Sequence, residues 1–158
     1  MKTPTGAHDT RDVFGMLSRS LQSGSGSWDL FAGMAITRQT LNWEFDAAAS
    51  YRINTAASGF EFGDEARLDA SFQYRVLPHS LQDVGVPAFV YAVLESSLIW
   101  NGRNRLAGTT NINSGGTIWS MTPGLQYVTR RYVLETAFQI PAIQRLHGMA
   151  LETDWRRT

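Results

Sequence analysis

The sequence predicts an all-β fold: an antiparallel up-and-down meander of about six to eight strands, arranged as a partial, open transmembrane β-barrel. Long segments alternate between apolar and polar residues, and this period of two is typical of strands with two unlike faces. No segment shows a helical period of comparable quality. The chain has 158 residues, which is enough for a single domain, and we identify no linker or low-complexity tract in it.

The clearest strands are the segments 41–54 and 63–76. In the first, all seven odd-numbered positions are apolar or aromatic, whereas six of the seven even-numbered positions are polar. In the second, six apolar residues alternate with six polar residues. These consecutive strands should pair as a hairpin, which would place Arg52 near Glu65 and Arg75 near residues 42 or 44.

The other strands show weaker forms of the same pattern. A Gly/Ser turn at 23–27 separates the first two, and a later segment is apolar on both faces. The pair Pro123-Gly124 predicts a bulge or an edge position. In chain order, the predicted strands lie at 13–21, 28–37, 41–54, 63–76, 86–100, 115–128, 132–141 and 151–158.

The connections between these strands alternate roughly between short and long. Short turns are predicted at 38–40 and 129–131. Outer-membrane barrels show this alternation, with short periplasmic turns and longer outer loops. The longer connections are predicted at 54–63, 77–85, 101–116 and 142–150.

Composition excludes several classes of protein. The formal net charge is zero, so no basic surface for nucleic acid is predicted. Because the chain has no cysteine, it can form neither a disulfide framework nor a cysteine-ligated zinc site. It lacks a run of about 18 apolar residues that could form a transmembrane helix. Residues 1–12 lack the apolar core of a secretory signal.

Two environments fit the alternating strands. In a soluble β-barrel or sandwich that binds a small ligand, the apolar face would pack in a core and the polar face would meet water. In a membrane barrel, the apolar face meets lipid and the polar face lines a wet lumen. The length of the segment 41–54 favours the membrane, because globular strands usually have about five to six residues.

In the membrane interpretation, the charged residues of the polar face line the lumen and form a ladder of acidic and basic groups. Removing Arg67 and Arg75 is then expected to shift ion selectivity toward cations. The predicted lumen-lining residues are Glu44, Asp46, Arg52, Glu65, Arg67, Asp69, Arg75, Glu95 and Glu135.

Aromatic residues with a polar group lie mostly near strand ends on the apolar face. Membrane barrels carry such residues in two girdles, one at each membrane–water boundary. The predicted girdle residues are Trp28, Trp43, Tyr51, Tyr74, Trp100, Trp119, Tyr127 and Tyr132, and Trp155 near the end of the chain fits the same pattern.

Several motifs resemble one family of outer-membrane proteins. They are the segments SGG (114–116), PGLQY (123–127), VTRRY (128–132), LETAFQIPAIQ (134–144) with Gly148, YR (51–52) and FGDE (62–65). Together they resemble the C-terminal part of the outer-membrane transporters associated with the meta-pathway of phenol degradation. The resemblance implies a barrel in the bacterial outer membrane that admits small molecules, among them aromatic or apolar ones, by passive uptake. It implies no substrate-binding residue.

The resemblance also predicts that residues 1–158 are one domain and a fragment of a larger barrel. Family members begin with a signal peptide and further strands, and they end on a closing strand with a terminal aromatic residue. This chain ends DWRRT and lacks the other two features. We therefore expect that these residues alone form an open sheet and no functional pore.

The sequence predicts no enzyme, no cofactor and no metal site. His8, His79 and His147 lie in separate loops without the spacing of metal ligands. A Ser-His-carboxylate hydrolase would have to use Ser96, His79 and Glu95, which no pattern brings together. The predicted partners are outer-membrane lipid and a small solute. The oligomeric state is left open, and a structural envelope protein without conductance is a weaker alternative.

Overall fold

The computed structural model describes residues 11–12, 15–16, 26–57, 59–81 and 88–148. These residues form strands and connections, and none of their segments is a helix that could span a membrane. The predicted strand at 151–158, with Trp155, and most of the one at 13–21 lie outside the described residues. The strands are β1 (Arg11–Asp12), β2 (Gly15–Met16), β3 (Leu30–Gln39), β4 (Trp43–Ile53), β5 (Phe60–Glu61), β6 (Glu65–Leu77), β7 (Phe89–Asn101), β8 (Arg105–Leu106), β9 (Thr109–Thr110), β10 (Gly116–Val128), β11 (Val133–Ala137) and β12 (Ile140–Leu146).

One antiparallel sheet of seven strands dominates the structure. Its order is β11-β10-β7-β6-β4-β3, and β12 lies beside β10 in line with β11. Neighbours in the sheet follow one another along the chain, so the predicted all-β antiparallel meander is confirmed. The sheet is open: β3 forms one edge and β11 with β12 the other.

The two clearest predicted strands pair as expected. Register runs from Trp43 opposite Tyr74 to Arg52 opposite Glu65, so the apolar positions of β4 and β6 share one face. The strands β6, β7 and β10 have 13 residues each. This length is about twice that of an ordinary globular strand.

The sheet is a single layer without a packed core. No side chain in the described part of the chain is fully buried. The apolar face is widely exposed, with Met34 at 77% and Ile36 at 65% of their free surface. The polar face is the inner side of the curve, because Ala35 near one edge and Gln139 at the other line the same cavity.

Two tight turns at one end of the sheet have the same construction. In the turn 40–42, the hydroxyl oxygen of Thr40 accepts hydrogen bonds from the N–H groups of Asn42 and Trp43. In the turn 129–132, the hydroxyl of Thr129 accepts from the N–H groups of Arg131 and Tyr132. A threonine hydroxyl that satisfies two turn amides explains why both turns are short. We call this end the short-turn end, although the connection 78–88 there is longer.

The opposite end, here the long-loop end, is more ordered than the sequence indicates. The loops 54–64 and 102–115 contain β5, β8 and β9, which form a small three-stranded sheet. The longer connections predicted at 54–63 and 101–116 therefore contain short strands that the sequence analysis does not predict. Strands of two residues are too short to show a period, so no sequence pattern marks them.

The prediction of one strand at 132–141 followed by a loop at 142–150 is also wrong in part. Two strands, β11 and β12, pair with β10; their registers agree on both sides of the break, and β12 continues to Leu146. The break lies opposite Pro123, whose carbonyl accepts from the N–H of Phe138 at 3.0 Å. Pro123 has no N–H that could donate a second hydrogen bond to the outermost strand, so the pairing is interrupted there. The bulge predicted at Pro123-Gly124 is not found there, since the register with β7 is continuous; the register with β12 instead shifts between Trp119 and Ser120, where Ala142 of β12 is the extra residue.

Candidate functional site

The polar face of the sheet is the candidate site. Its register places the side chains of all nine predicted lumen-lining residues on this face, although they come from four strands. They form three groups: one at each end of the sheet and one at its middle. The face is not uniformly polar, because β7 contributes Val93 and Ile99 to it.

At the long-loop end, Arg52 and Glu65 form a cross-strand ion pair. The distance from Arg52 Nη2 to Glu65 Oε1 is 2.8 Å, and both side chains are about one-third exposed, at 39% and 32%. The sequence predicts this pair, and the structure confirms it. This ion pair lies at the end of the polar face, next to a network of hydrogen bonds around Asp64 in the long loops.

That network fixes the rim at this end. Asp64 accepts hydrogen bonds from the Asn54 N–H at 3.0 Å and from the Tyr51 hydroxyl at 3.1 Å. The Asn54 side chain donates to the Gly63 carbonyl at 2.6 Å and is buried, with 9% exposure. The Gly102 N–H donates to the Asp64 carbonyl at 2.7 Å, which links the two long loops.

At the short-turn end, Arg75 and Glu135 bond to neutral partners. The Arg75 guanidinium donates to the side-chain oxygen of Asn42, one of the two predicted neighbours. Glu135 accepts from the amide of Gln126 at 3.3 Å.

The middle group lies around an open cavity of about 610 Å³. Arg67 donates to Asp69 at 2.6 Å, and the hydroxyl of Ser97 donates to the same carboxylate at 2.7 Å. Asp46 accepts from the hydroxyl of Thr37 at 2.6 Å. Sequence periodicity did not single out Thr37 and Ser97 as site residues, because only the strand register brings them beside these carboxylates.

One transverse row of the sheet is polar on every strand, and all six of its residues line the cavity. Cross-strand register aligns the first five, and the register continued across the break beside Pro123 adds the last. We call these residues the polar row: Thr37, Asp46, Ser71, Glu95, Thr122 and Gln139. It crosses the sheet from edge to edge, at the middle of β6, β7 and β10 and nearer the short-turn end of β3 and β4.

Among the described residues, Glu95 is the carboxylate of the polar row that has no hydrogen-bond or ion-pair partner. Asp46 bonds to Thr37, whereas Glu95 is exposed and contacts no donor within hydrogen-bond distance. The carboxylate of Glu44, nearer the short-turn end, is likewise unpartnered. Glu95 therefore presents an uncompensated charge to the cavity.

Most of the predicted aromatic girdle residues fall into two bands on the apolar face. Tyr51 and Trp100 share one row near the long-loop end, and Trp28 precedes β3 at that end. Trp43 lies directly opposite Tyr74 near the short-turn end. The last two, Tyr127 and Tyr132, contact each other at that end, with ring centroids 6.3 Å apart.

The separation of the two bands follows from the register. Trp43 and Tyr51 are eight residues apart on β4, which corresponds to about 27 Å along the strand. A tilt of about 40° reduces this to about 20 Å, similar to the apolar band of roughly 25 Å in outer-membrane barrels.

Trp119 differs from the other predicted girdle residues. It lies one row closer to the centre, opposite Leu98, and its indole N–H donates to the hydroxyl of Ser96 at 2.9 Å. Its polar group is satisfied within the sheet rather than directed to a boundary. Trp119 is thus part of the surface between the bands.

The described residues provide no metal site and no assembled catalytic group. No group of three or more His, Asp or Glu side chains among them could hold a metal ion. Glu95 and Ser96 are consecutive on β7, so their side chains lie on opposite faces of the sheet. His79 follows β6 at the short-turn end, away from both.

Comparisons with known proteins identify no relative. No family model matches the chain, and neither the curated proteins nor the solved structures contain a match to it.

Proposed function

We propose that this sheet is part of the wall of a bacterial outer-membrane β-barrel through which small molecules pass by diffusion. One observation carries the proposal: a single-layer sheet exposes an apolar face that two aromatic bands bound. In this arrangement lipid covers the apolar face and water fills the polar one. The resemblance of the sequence to outer-membrane transporters of phenol degradation supports the same assignment.

A soluble fold would need a second layer against the apolar face. Exposed side chains such as Trp28 (82%), Met34 (77%) and Phe138 (72%) would otherwise form an apolar surface far larger than monomers tolerate in water. The described part of the chain supplies no such layer. This comparison favours lipid over a soluble ligand-binding protein.

The open edges bear on the same proposal. Backbone N–H and C=O groups that face hydrocarbon without partners each cost several kcal/mol, so membrane sheets close into barrels. We propose that further strands pair with β3 and with β11 and β12 in the working protein. Small solutes, including aromatic or apolar ones, would enter at the long-loop end and leave at the short-turn end.

The first test is the solvent that folding requires. We expect far-UV circular dichroism of the purified chain to show a β spectrum only after detergent or lipid vesicles are added, and the folded chain to float with the vesicles. A β spectrum with a sharp melting transition in plain buffer would overturn the proposal.

Transport needs a second measurement. The protein encoded by the complete reading frame should give stepwise currents in a planar bilayer. A vesicle-bound protein without current would instead be a structural envelope protein.

A further inference from the structure

We propose that the polar row makes the lumen favour cations over anions and that Glu95 is the residue that sets this preference. Neutral solutes and small cations, such as alkali ions and protonated amines, would pass, whereas anions would be disfavoured. The inference rests on the proposed function, because it treats the polar face as a lumen.

The position of the row is the first argument. Its six residues cross all six strand positions, and every one lines the cavity. A solute that moves along the polar face must therefore pass this row. The two neighbouring rows include apolar or small residues such as Ala35, Ala48 and Val93, so they offer fewer groups that could discriminate charge.

The balance of charge at the cavity is the second argument. Its lining contains the three carboxylates Asp46, Asp69 and Glu95 and one guanidinium, that of Arg67. Three negative charges and one positive charge leave a net charge of minus two. Arg67 binds Asp69 at 2.6 Å, so the positive charge of Arg67 is largely neutralised by that carboxylate.

The other two arginines of the face cannot offset this charge. Arg52 binds Glu65 at 2.8 Å at the long-loop end. Arg75 bonds to Asn42 at the short-turn end and lies four residues from Ser71, about 13 Å along the strand. That distance exceeds the screening length of about 8 Å at physiological ionic strength.

The absence of a partner distinguishes Glu95 from the other two carboxylates of the cavity. Thr37 donates to Asp46, while Arg67 and Ser97 donate to Asp69. Among the described side chains, none donates to Glu95. The charge of this carboxylate is therefore not compensated by a direct contact within this part of the chain. Low-dielectric walls focus the field of such a charge on the passing solute.

An introduced thiol can measure this field without a pore. The chain contains no cysteine, so Ser71→Cys places a single thiol between Asp46 and Glu95, its cross-strand neighbours. The chain is folded in detergent micelles at low ionic strength. It is then treated with a cationic and, separately, an anionic methanethiosulfonate reagent of similar size, and the ratio of the two rate constants is measured.

We expect the cationic reagent to react faster, and Glu95→Gln to reduce the ratio about tenfold. One unit charge at about 6 Å in water changes each rate roughly threefold, in opposite directions for the two reagents. Asp46→Asn should also lower the ratio, which provides a second variant if the first does not fold. Glu135→Gln, with the same change of net charge at the short-turn end, should leave the ratio within twofold. A faster anionic reagent, or a ratio unaffected by Glu95→Gln, overturns the inference.

A matched thiol separates this inference from the proposed function. Ala70→Cys lies beside Ser71 on the apolar face, where lipid or detergent should block both charged reagents. If that thiol reacts as fast as the one at residue 71, the membrane assignment fails, whatever the effect of Glu95→Gln. In a planar bilayer under a KCl gradient, the complete protein should show a reversal potential that favours potassium and moves toward zero with Glu95→Gln. A potential that favours chloride contradicts the proposal.

Discussion

Arg67 donates to Asp69 at 2.6 Å along one strand, not across to a neighbouring strand. The charge pattern of the two clearest strands predicts a lateral ladder of acidic and basic groups. Only Arg52 and Glu65 form such a lateral ion pair on this face in the described part of the chain. The polar face therefore combines local neutralisation with the unpartnered carboxylates of Glu44 and Glu95, and it is not an even array of alternating charges.

Replacing Arg67 with glutamine should make the cavity more favourable to cations. Without the guanidinium, Asp69 becomes a third carboxylate of the cavity without a cationic partner, after Asp46 and Glu95. We expect the ratio of cationic to anionic reaction rates at Ser71→Cys to rise severalfold. Arg75→Gln should change this ratio less, because the Arg75 guanidinium bonds to Asn42 and does not line the cavity. Equal effects of the two variants would show that the contact between Arg67 and Asp69 does not matter here.

The Arg52–Glu65 pair should contribute little to stability. Both side chains are about one-third exposed, and pairs of this kind are worth about 0.2–1 kcal/mol. A double-mutant cycle with Arg52→Gln and Glu65→Gln, measured by urea unfolding from vesicles, should give a coupling energy below about 1 kcal/mol. The coupling should fall further in high salt. A coupling of several kcal/mol would mean that water does not reach this face.

Adjacent positions on β4 offer a direct comparison of the two faces. Ala47 lies on the apolar face midway between Trp43 and Tyr51, and Ala48 lies on the polar face opposite Asp69. Ala47→Arg should cost about 2–4 kcal/mol of folding free energy in vesicles, because it places a guanidinium at the middle of the lipid. Ala48→Arg should cost less than about 1 kcal/mol. The free energies of unfolding from vesicles would measure both, and equal costs would contradict a lipid-facing apolar side.

Gly63→Ala should disrupt the rim at the long-loop end. A Cβ at this position would overlap the carbonyl group of Gly102, which belongs to the other long loop. We expect the loops to separate and the Gly102 N–H to lose protection from hydrogen exchange, since it donates to Asp64. Gly108→Ala in a loop tip, where a Cβ meets nothing within 4 Å, should strain the tip locally because φ is +79° there, but it should leave this amide protected. Retained protection in Gly63→Ala would show that the loops can shift without breaking the contact.

The sequence correctly predicts the strands in which apolar and polar residues alternate over a long segment. The segments 41–54 and 63–76 become β4 and β6 within two residues at each end, with the predicted pairing. Period two over a dozen residues leaves little ambiguity, and adjacent strands with a short enough connection usually pair. The short turns were recognisable for a similar reason, because each is marked by polar residues between two alternating segments.

Other features depend on register between strands, which single-strand patterns do not encode. The polar row exists only because β3, β4, β6, β7 and β10 align Thr37, Asp46, Ser71, Glu95 and Thr122. The division of the last strand position into β11 and β12 depends on Pro123 in the neighbouring strand. A proline can end the pairing of a residue that is distant in sequence, which no local propensity reports.

The alternation of strand direction has a consequence for how such a sheet can grow. From β3 to the outermost position there are six strand positions, each antiparallel to the next, so the two edges run in opposite directions. A strand added alone at one edge would reverse that relation and prevent antiparallel closure. Strands must therefore be added in pairs. Each added hairpin contributes one more turn to one rim and one more loop to the other. The number of strands around a closed sheet of this kind can thus change only by two at a time. Adding a hairpin widens the opening but keeps the short turns at one rim and the long loops at the other.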